Sequence, residues 1–177
     1  MTRPLDEAEG PICIGCGLCC DGTLLATALV RPDDAEFVSA AGLEIAEEGQ
    51  KRYFRLPCPH FSCGSCQIYA KRPKVCRKYR CALLTNLEAG EISRTDALEK
   101  IAMAQMLVAA VRRLAPTAVT AAERPALKQR LKAELRELDD RLRQPAAKTL
   151  LAIGVLEHFL NRWFYKMKNE AAEPETK

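Results

Sequence analysis

Nine cysteines lie between Cys13 and Cys81 and none follows, so the first half of the chain is constrained by sulfur chemistry. They form a run, Cys13-Ile14-Gly15-Cys16-Gly17-Leu18-Cys19-Cys20, and a second group, Cys58-Pro59-His60-Phe61-Ser62-Cys63-Gly64-Ser65-Cys66, continued by Cys76 and Cys81. Thiols used as small core residues would be scattered among aliphatic side chains at helix or strand spacing. These sit with Gly15, Gly17, Pro59, Gly64 and Pro73, in loop-forming sequence. A disulfide framework needs an oxidising compartment. Nine is odd, Cys19 and Cys20 are adjacent, and residues 1–9 offer no apolar stretch for a secretory signal, so a cytoplasmic protein is expected.

Metal ligation remains. It requires several thiolates to converge, and short loops reduce the entropy lost when they do. C-x2-C spacing lets the backbone turn around an ion with N–H groups free to face the sulfurs, and glycines at 15 and 17 relieve crowding. Zinc and iron-sulfur centres both accept four cysteine thiolates. Three cysteines from one C-x2-C-x2-C loop lean towards iron-sulfur, because structural zinc sites commonly take cysteines in pairs. The bacterial ferredoxin pattern fails at one point: Cys20 follows Cys19 directly, where that motif places three residues and then Cys-Pro. The C-x3-C-x2-C spacing of radical S-adenosylmethionine enzymes does not occur.

The pattern Cys13-x2-Cys16-x2-Cys19-Cys20, then Cys58-Pro59, then Cys66-Gln67-Ile68-Tyr69-x2-Arg72-Pro73-x2-Cys76-Arg77-x-Tyr79-x-Cys81 resembles the CxxCxxCC family of bacterial proteins described as chelating zinc or iron. The resemblance covers roughly the first half of the chain. It implies eight metal-ligating cysteines, Cys13, Cys16, Cys19, Cys20, Cys58, Cys66, Cys76 and Cys81, and a zinc, iron or iron-sulfur cofactor. Cys63 is left over, with a loop residue, a replacement ligand or a redox-active neighbour as its readings. The same resemblance brings in an iron-sulfur oxidoreductase or a protein-modifying enzyme related to flagellin lysine methylase. Yet no glycine-rich strand-to-helix turn, nucleophile–base pair or acid–base carboxylate pair is evident, and no catalytic residue is assigned. A thiol redox or metal sensor using Cys63 is the third class.

Residues 71–80 hold six basic side chains and no acidic one, beside Cys76 and Cys81. Such charge lowers thiol pKa values and offsets the negative charge of a tetrathiolate. It could instead meet a nucleic acid, with Tyr69 or Tyr79 stacking on bases. Eleven basic and eleven acidic side chains in the first ninety residues leave no overall basic field, which favours thiolate stabilisation. His60 is a candidate ligand, sulfur partner or solvent-facing residue, and His158 a surface or packing residue. Two separated histidines rule out a finger built on paired histidines.

The expected fold is α+β: a cysteine-rich metal-binding unit of short strands and helices over 1–92, a helical hairpin or bundle over 93–169, and a disordered tail over 170–177. Residues 24–30 read as a buried strand. Asp33 or Asp34 would cap a short helix that Gly42 stops, and residues 53–56 as a second strand would deliver Cys58 to the first loop. Leu83, Leu84 and Leu87 mark a short helix ended by Gly90. Ser93 to Asp96 would cap a longer one, with Leu98, Ile101, Gln105, Val108 and Val111 or Arg112 on one face, Arg112 and Arg113 suiting the dipole at its end, and Pro116 as its stop. Leu127, Leu131, Leu135, Leu138 and Leu142 draw a seam between Pro125 and Pro145. A last helix over 146–169 offers Leu150, Ile153, Leu156, Leu160, Trp163 and Met167 to it, or to a protein partner or second copy. The apolar stretch 150–156 is far short of the roughly twenty residues a membrane span needs.

Overall fold

A small antiparallel sheet and a layer of helices carry the cysteines from opposite sides. The structure, a computed structural model, describes residues 12–115, 120–137 and 140–165. Strands β1 (Thr27–Val30), β2 (Ile45–Glu48) and β3 (Lys51–Arg55) form one sheet in the order β1-β3-β2, and β4 (Phe61–Ser62) pairs with β5 (Ser65–Cys66) in a hairpin. The helices are α1 (Cys13–Cys16), α2 (Ala35–Ala40), α3 (Lys74–Lys78), α4 (Ala82–Glu88), α5 (Arg94–Leu114), α6 (Arg124–Glu137) and α7 (Asp140–Trp163). The expected α+β class is what the chain adopts.

Two hydrophobic clusters follow from this order. Val30 and Phe54 from the sheet close on Val38 and Leu43. The larger cluster joins Ile12, Leu18 and Leu24 of the first cysteine segment to Leu83, to Ile101, Val108 and Val111 of α5, to Leu127 and Leu131 of α6, and to Ile153, Leu156, Leu160 and Phe164. The helical layer thus shares a core with the first cysteine run.

Several expectations are corrected. The strand over 24–30 shortens to Thr27–Val30, with Leu29 54% exposed. It pairs only with β3 at the sheet edge and buries one face, while Leu24 turns into the helical core. Strand β2 is an addition, joined to β3 by a two-residue turn. Helix α5 starts with the anticipated capping box of Ser93 and Asp96, but buries Ala97, Ile101, Ala104, Val108 and Val111, leaving Leu98 44% exposed. Steps of four and three beginning at alanine let the neighbouring helix approach closely, so small side chains win the inner face over Leu98.

The leucine seam does not run through one helix bounded by prolines. Pro125 is the second residue of α6, where its missing N–H costs nothing, but Pro145 lies inside α7, and Thr149 Oγ1 donates to its carbonyl at 2.9 Å. Leu127 and Leu131 are buried, and Leu135 packs beside them. Leu138, the side chain of Leu142, Pro116, Met167, residues 1–9 and the tail over 170–177 lie outside the described residues. Phe164, just past α7, fills a core position that the helix pattern did not reveal.

Candidate metal centre

Helix α1 is a single turn that places Cys13 and Cys16 three residues apart, and Gly17 ends it in the left-handed region at φ 68°. The chain then winds tightly, with Asp21 N–H donating to Gly17 O at 2.9 Å and Leu24 N–H to Leu18 O at 2.9 Å. Gly17 is required for a second reason: a Cβ there would stand 2.4 Å from Cζ of Phe61. The hairpin carrying Cys66 therefore lies against the first loop. Cys58, just beyond β3, is tied to the run by its N–H donating to Cys20 O at 2.7 Å, as a strand delivering it would require.

Cys76 rides on α3 and Cys81 caps α4, its Sγ accepting the Leu84 N–H at 3.5 Å. Asp33 and Asp34, expected to cap their own short helix, instead reach across to α3. Buried Asp34 accepts the Val75 N–H at 3.0 Å, and Asp33 pairs with Lys74 at 3.1 Å. They act as a cap supplied from 41 residues away. Sequence reasoning saw the residues but not the helix they serve.

All eight family cysteines line one cavity of about 640 Å3. Burial pushes seven of these thiols up, those of Cys13, Cys16, Cys19, Cys20, Cys58, Cys76 and Cys81, and their mutual repulsions fall mostly within two groups. Cys16 is raised to about 12 by burial and then by Cys13 and Cys81, and Cys19 is raised by burial and then by Cys16, Cys81, Cys20 and Cys13. Cys20 is raised to about 12 by burial and then by Cys66, Cys58 and Cys76, and Cys76 to about 11 by burial and then by Cys58 and Cys66. The repulsions concentrate within Cys13, Cys16, Cys19 and Cys81 and within Cys20, Cys58, Cys66 and Cys76, with Cys20 also bearing on its neighbour Cys19. Packing agrees: every member of the first set touches the helical core, whereas Cys58 and Cys76 touch the sheet core.

The nine thiols are free. The quartets stand around the cavity rather than closing on a point: among the described residues no three His, Cys, Asp or Glu side chains form a ready site for one ion. Cys63 is absent from the cavity wall. It is exposed at the β4–β5 tip with φ 49°, followed by Gly64 at φ 76°, the pattern of a type I′ turn. His60 is spoken for, its Nε2 donating to Ala41 O at 2.5 Å, and His158 is exposed. Arg80 of the basic segment pairs with Glu88 at 2.9 Å, and Arg72 stacks on Tyr69 at 3.8 Å. Tyr79 is half-buried beside Cys19 and Cys81, so neither tyrosine is presented as a free stacking platform.

The helical layer braces the first loop through its backbone. Gln105 Nε2 donates to Gly15 O at 2.8 Å and Cys16 O at 3.1 Å, buried Arg124 donates to Thr23 O at 2.7 Å, and Tyr165 donates to Leu24 O at 2.9 Å. Arg112 pairs with Asp21 at 3.1 Å. Of these, Gln105 and Arg112 carried a sequence signal, as positions on one face and at the C-terminal end of the long helix.

Eight thiols lining one cavity from short loops are a donor set suited to a metal-binding protein. The CxxCxxCC family, described as "Putative zinc- or iron-chelating domain", matches residues 12–104, just over half of the chain. The chain belongs to this family, and metal chelation is its activity. No curated protein and no solved structure matches it. No described helix is long and apolar enough to cross a membrane.

Proposed function

We propose that the protein holds two metal centres, one on Cys13, Cys16, Cys19 and Cys81 and one on Cys20, Cys58, Cys66 and Cys76, and that both are iron-sulfur clusters. The partition of eight thiols about one cavity carries this reading. A zinc ion bonds sulfur at about 2.3 Å, which demands four thiolates in close contact. A cluster interposes its own iron and sulfide between its ligands and suits thiols spread around a cavity. Bound there, the clusters would supply one-electron chemistry. The chain contributes the ligands, the backbone N–H groups on Cys16 and Cys81 sulfur, and basic side chains at the wall.

Residues 12–92 form the ligating unit in this reading, and the helices from Arg94 onward form its backing. Cys63, outside the cavity wall, gives disulfide exchange no support.

Anaerobically purified protein should show visible charge-transfer absorption with iron and acid-labile sulfide in equal amounts. Cys16→Ser and Cys76→Ser should each remove about half of the iron. A colourless protein with stoichiometric zinc would overturn the cluster assignment. Loss of all metal from either single variant would overturn the two-site partition.

A further inference from the structure

Arg72 stands apart from the other basic residues of its segment. Its Nε is sealed from solvent and has no hydrogen-bond partner among the described residues, although a buried N–H left unpaired costs free energy. The guanidinium is held in place by the Tyr69 ring 3.8 Å away, and both side chains line the cavity that all eight cysteines share. Pro73 follows, fully buried, and fixes the backbone between the short turn at Tyr69–Lys71 and α3. The wall on which Arg72 stands also carries cysteines of both quartets, Cys13 and Cys19 of one and Cys66 and Cys76 of the other. Arg80 lines the same wall, but its charge is already paired with Glu88 at 2.9 Å.

We infer that Arg72 is the shared counter-ion of the two centres, donating its buried Nε–H to a metal-bound sulfur and offsetting the negative charge of both quartets at once. The inference rests on the two-site reading above. Each quartet carries excess negative charge once its thiols ionise, and a cation on the common wall lowers the cost of loading either. Arginine suits the place better than lysine, because its planar group can stack on an aromatic face while still donating from its edge.

The test uses the full chain, loaded anaerobically with ferrous iron and sulfide and, separately, with zinc alone. Arg72→Gln should release zinc to a chelator about tenfold faster from both quartets, read one at a time in Cys16→Ser and Cys76→Ser backgrounds. In the iron-loaded protein it should lower the reduction potential of both clusters, since a lost cation disfavours the added electron. Arg72→Lys, which keeps the charge, should restore most of the potential. Arg80→Gln, which removes a cation already paired with Glu88, should have a much smaller effect on either quartet. Wild-type rates and potentials in Arg72→Gln, or an effect on one quartet only, would overturn the shared role while leaving the metal-binding reading intact. Should Arg72→Gln fail to fold, Arg72→Lys with potentials shifted as far as a charge loss predicts would overturn it equally. A wild-type chain that takes up neither zinc nor iron would overturn both.

Discussion

Gly17 is the residue on which the two cysteine segments turn. Its φ of 68° disfavours any side chain, and a Cβ would strike the Phe61 ring at 2.4 Å. Gly17→Ala should cost about 1–3 kcal/mol, combining left-handed strain with displacement of the hairpin that carries Cys66. A double-mutant cycle on thermal unfolding separates the two: Phe61→Ala should recover the steric part and leave the strain. A cycle that sums additively would show that the ring contact carries no energy. The sequence pointed to glycine here for loop geometry, but the approach of a ring 44 positions along the chain leaves no local trace. Cys63 shows the opposite case, since its position next to Gly64 between the two-residue strands Phe61–Ser62 and Ser65–Cys66 is turn chemistry that local sequence does encode.

Among the elements, α3 is the clearest instance of a helix with no cap of its own. Its flanking Pro73 offers no side-chain acceptor, and Asp34 supplies one from beyond the sheet. Asp34→Ala should destabilise the protein by about 1–2 kcal/mol. It should also speed metal release from the quartet containing Cys76, while the Cys13 quartet keeps its wild-type rate. Equal release from both sites would show that Asp34 supports the fold at large rather than this helix. Element by element, the strand before Cys58, the short helix after Cys81 and the capped start of α5 were legible, because turn and capping residues act locally. The inner face of α5 and the course of α7 through Pro145 were not. Both depend on how closely a partner helix approaches, and neither hydrophobicity nor a single proline decides that.

For the whole molecule, the thiols make stability run in opposite directions with and without metal. Without metal, thiols raised from an ordinary value near 9.0 to about 11 or 12, as at Cys76, Cys16 and Cys20, favour the folded state while neutral. That contribution is complete below about pH 9 and disappears as pH climbs through the raised values. With metal bound the ligands are thiolates, so protons compete and stability falls as pH drops. Thermal melts should therefore show chelator-treated protein weakening from pH 9 to 11 and loaded protein strengthening from pH 5 to 8. A metal-free melting temperature that rises between pH 9 and 11 would contradict the sorting of buried thiols. The eight cysteines could be named from the family pattern, but the proposed division could not, because it parts the adjacent Cys19 and Cys20. The brace of Gln105, Arg124 and Tyr165 has a last consequence for the loop. In a planar trans peptide the C=O and N–H point opposite ways, so each carbonyl drawn to the helices turns the next N–H away from them. At Thr23 the carbonyl is held by Arg124 and the next N–H, that of Leu24, is turned back into the loop onto Leu18 O, so the helical brace and the loop's own winding are set by one peptide plane.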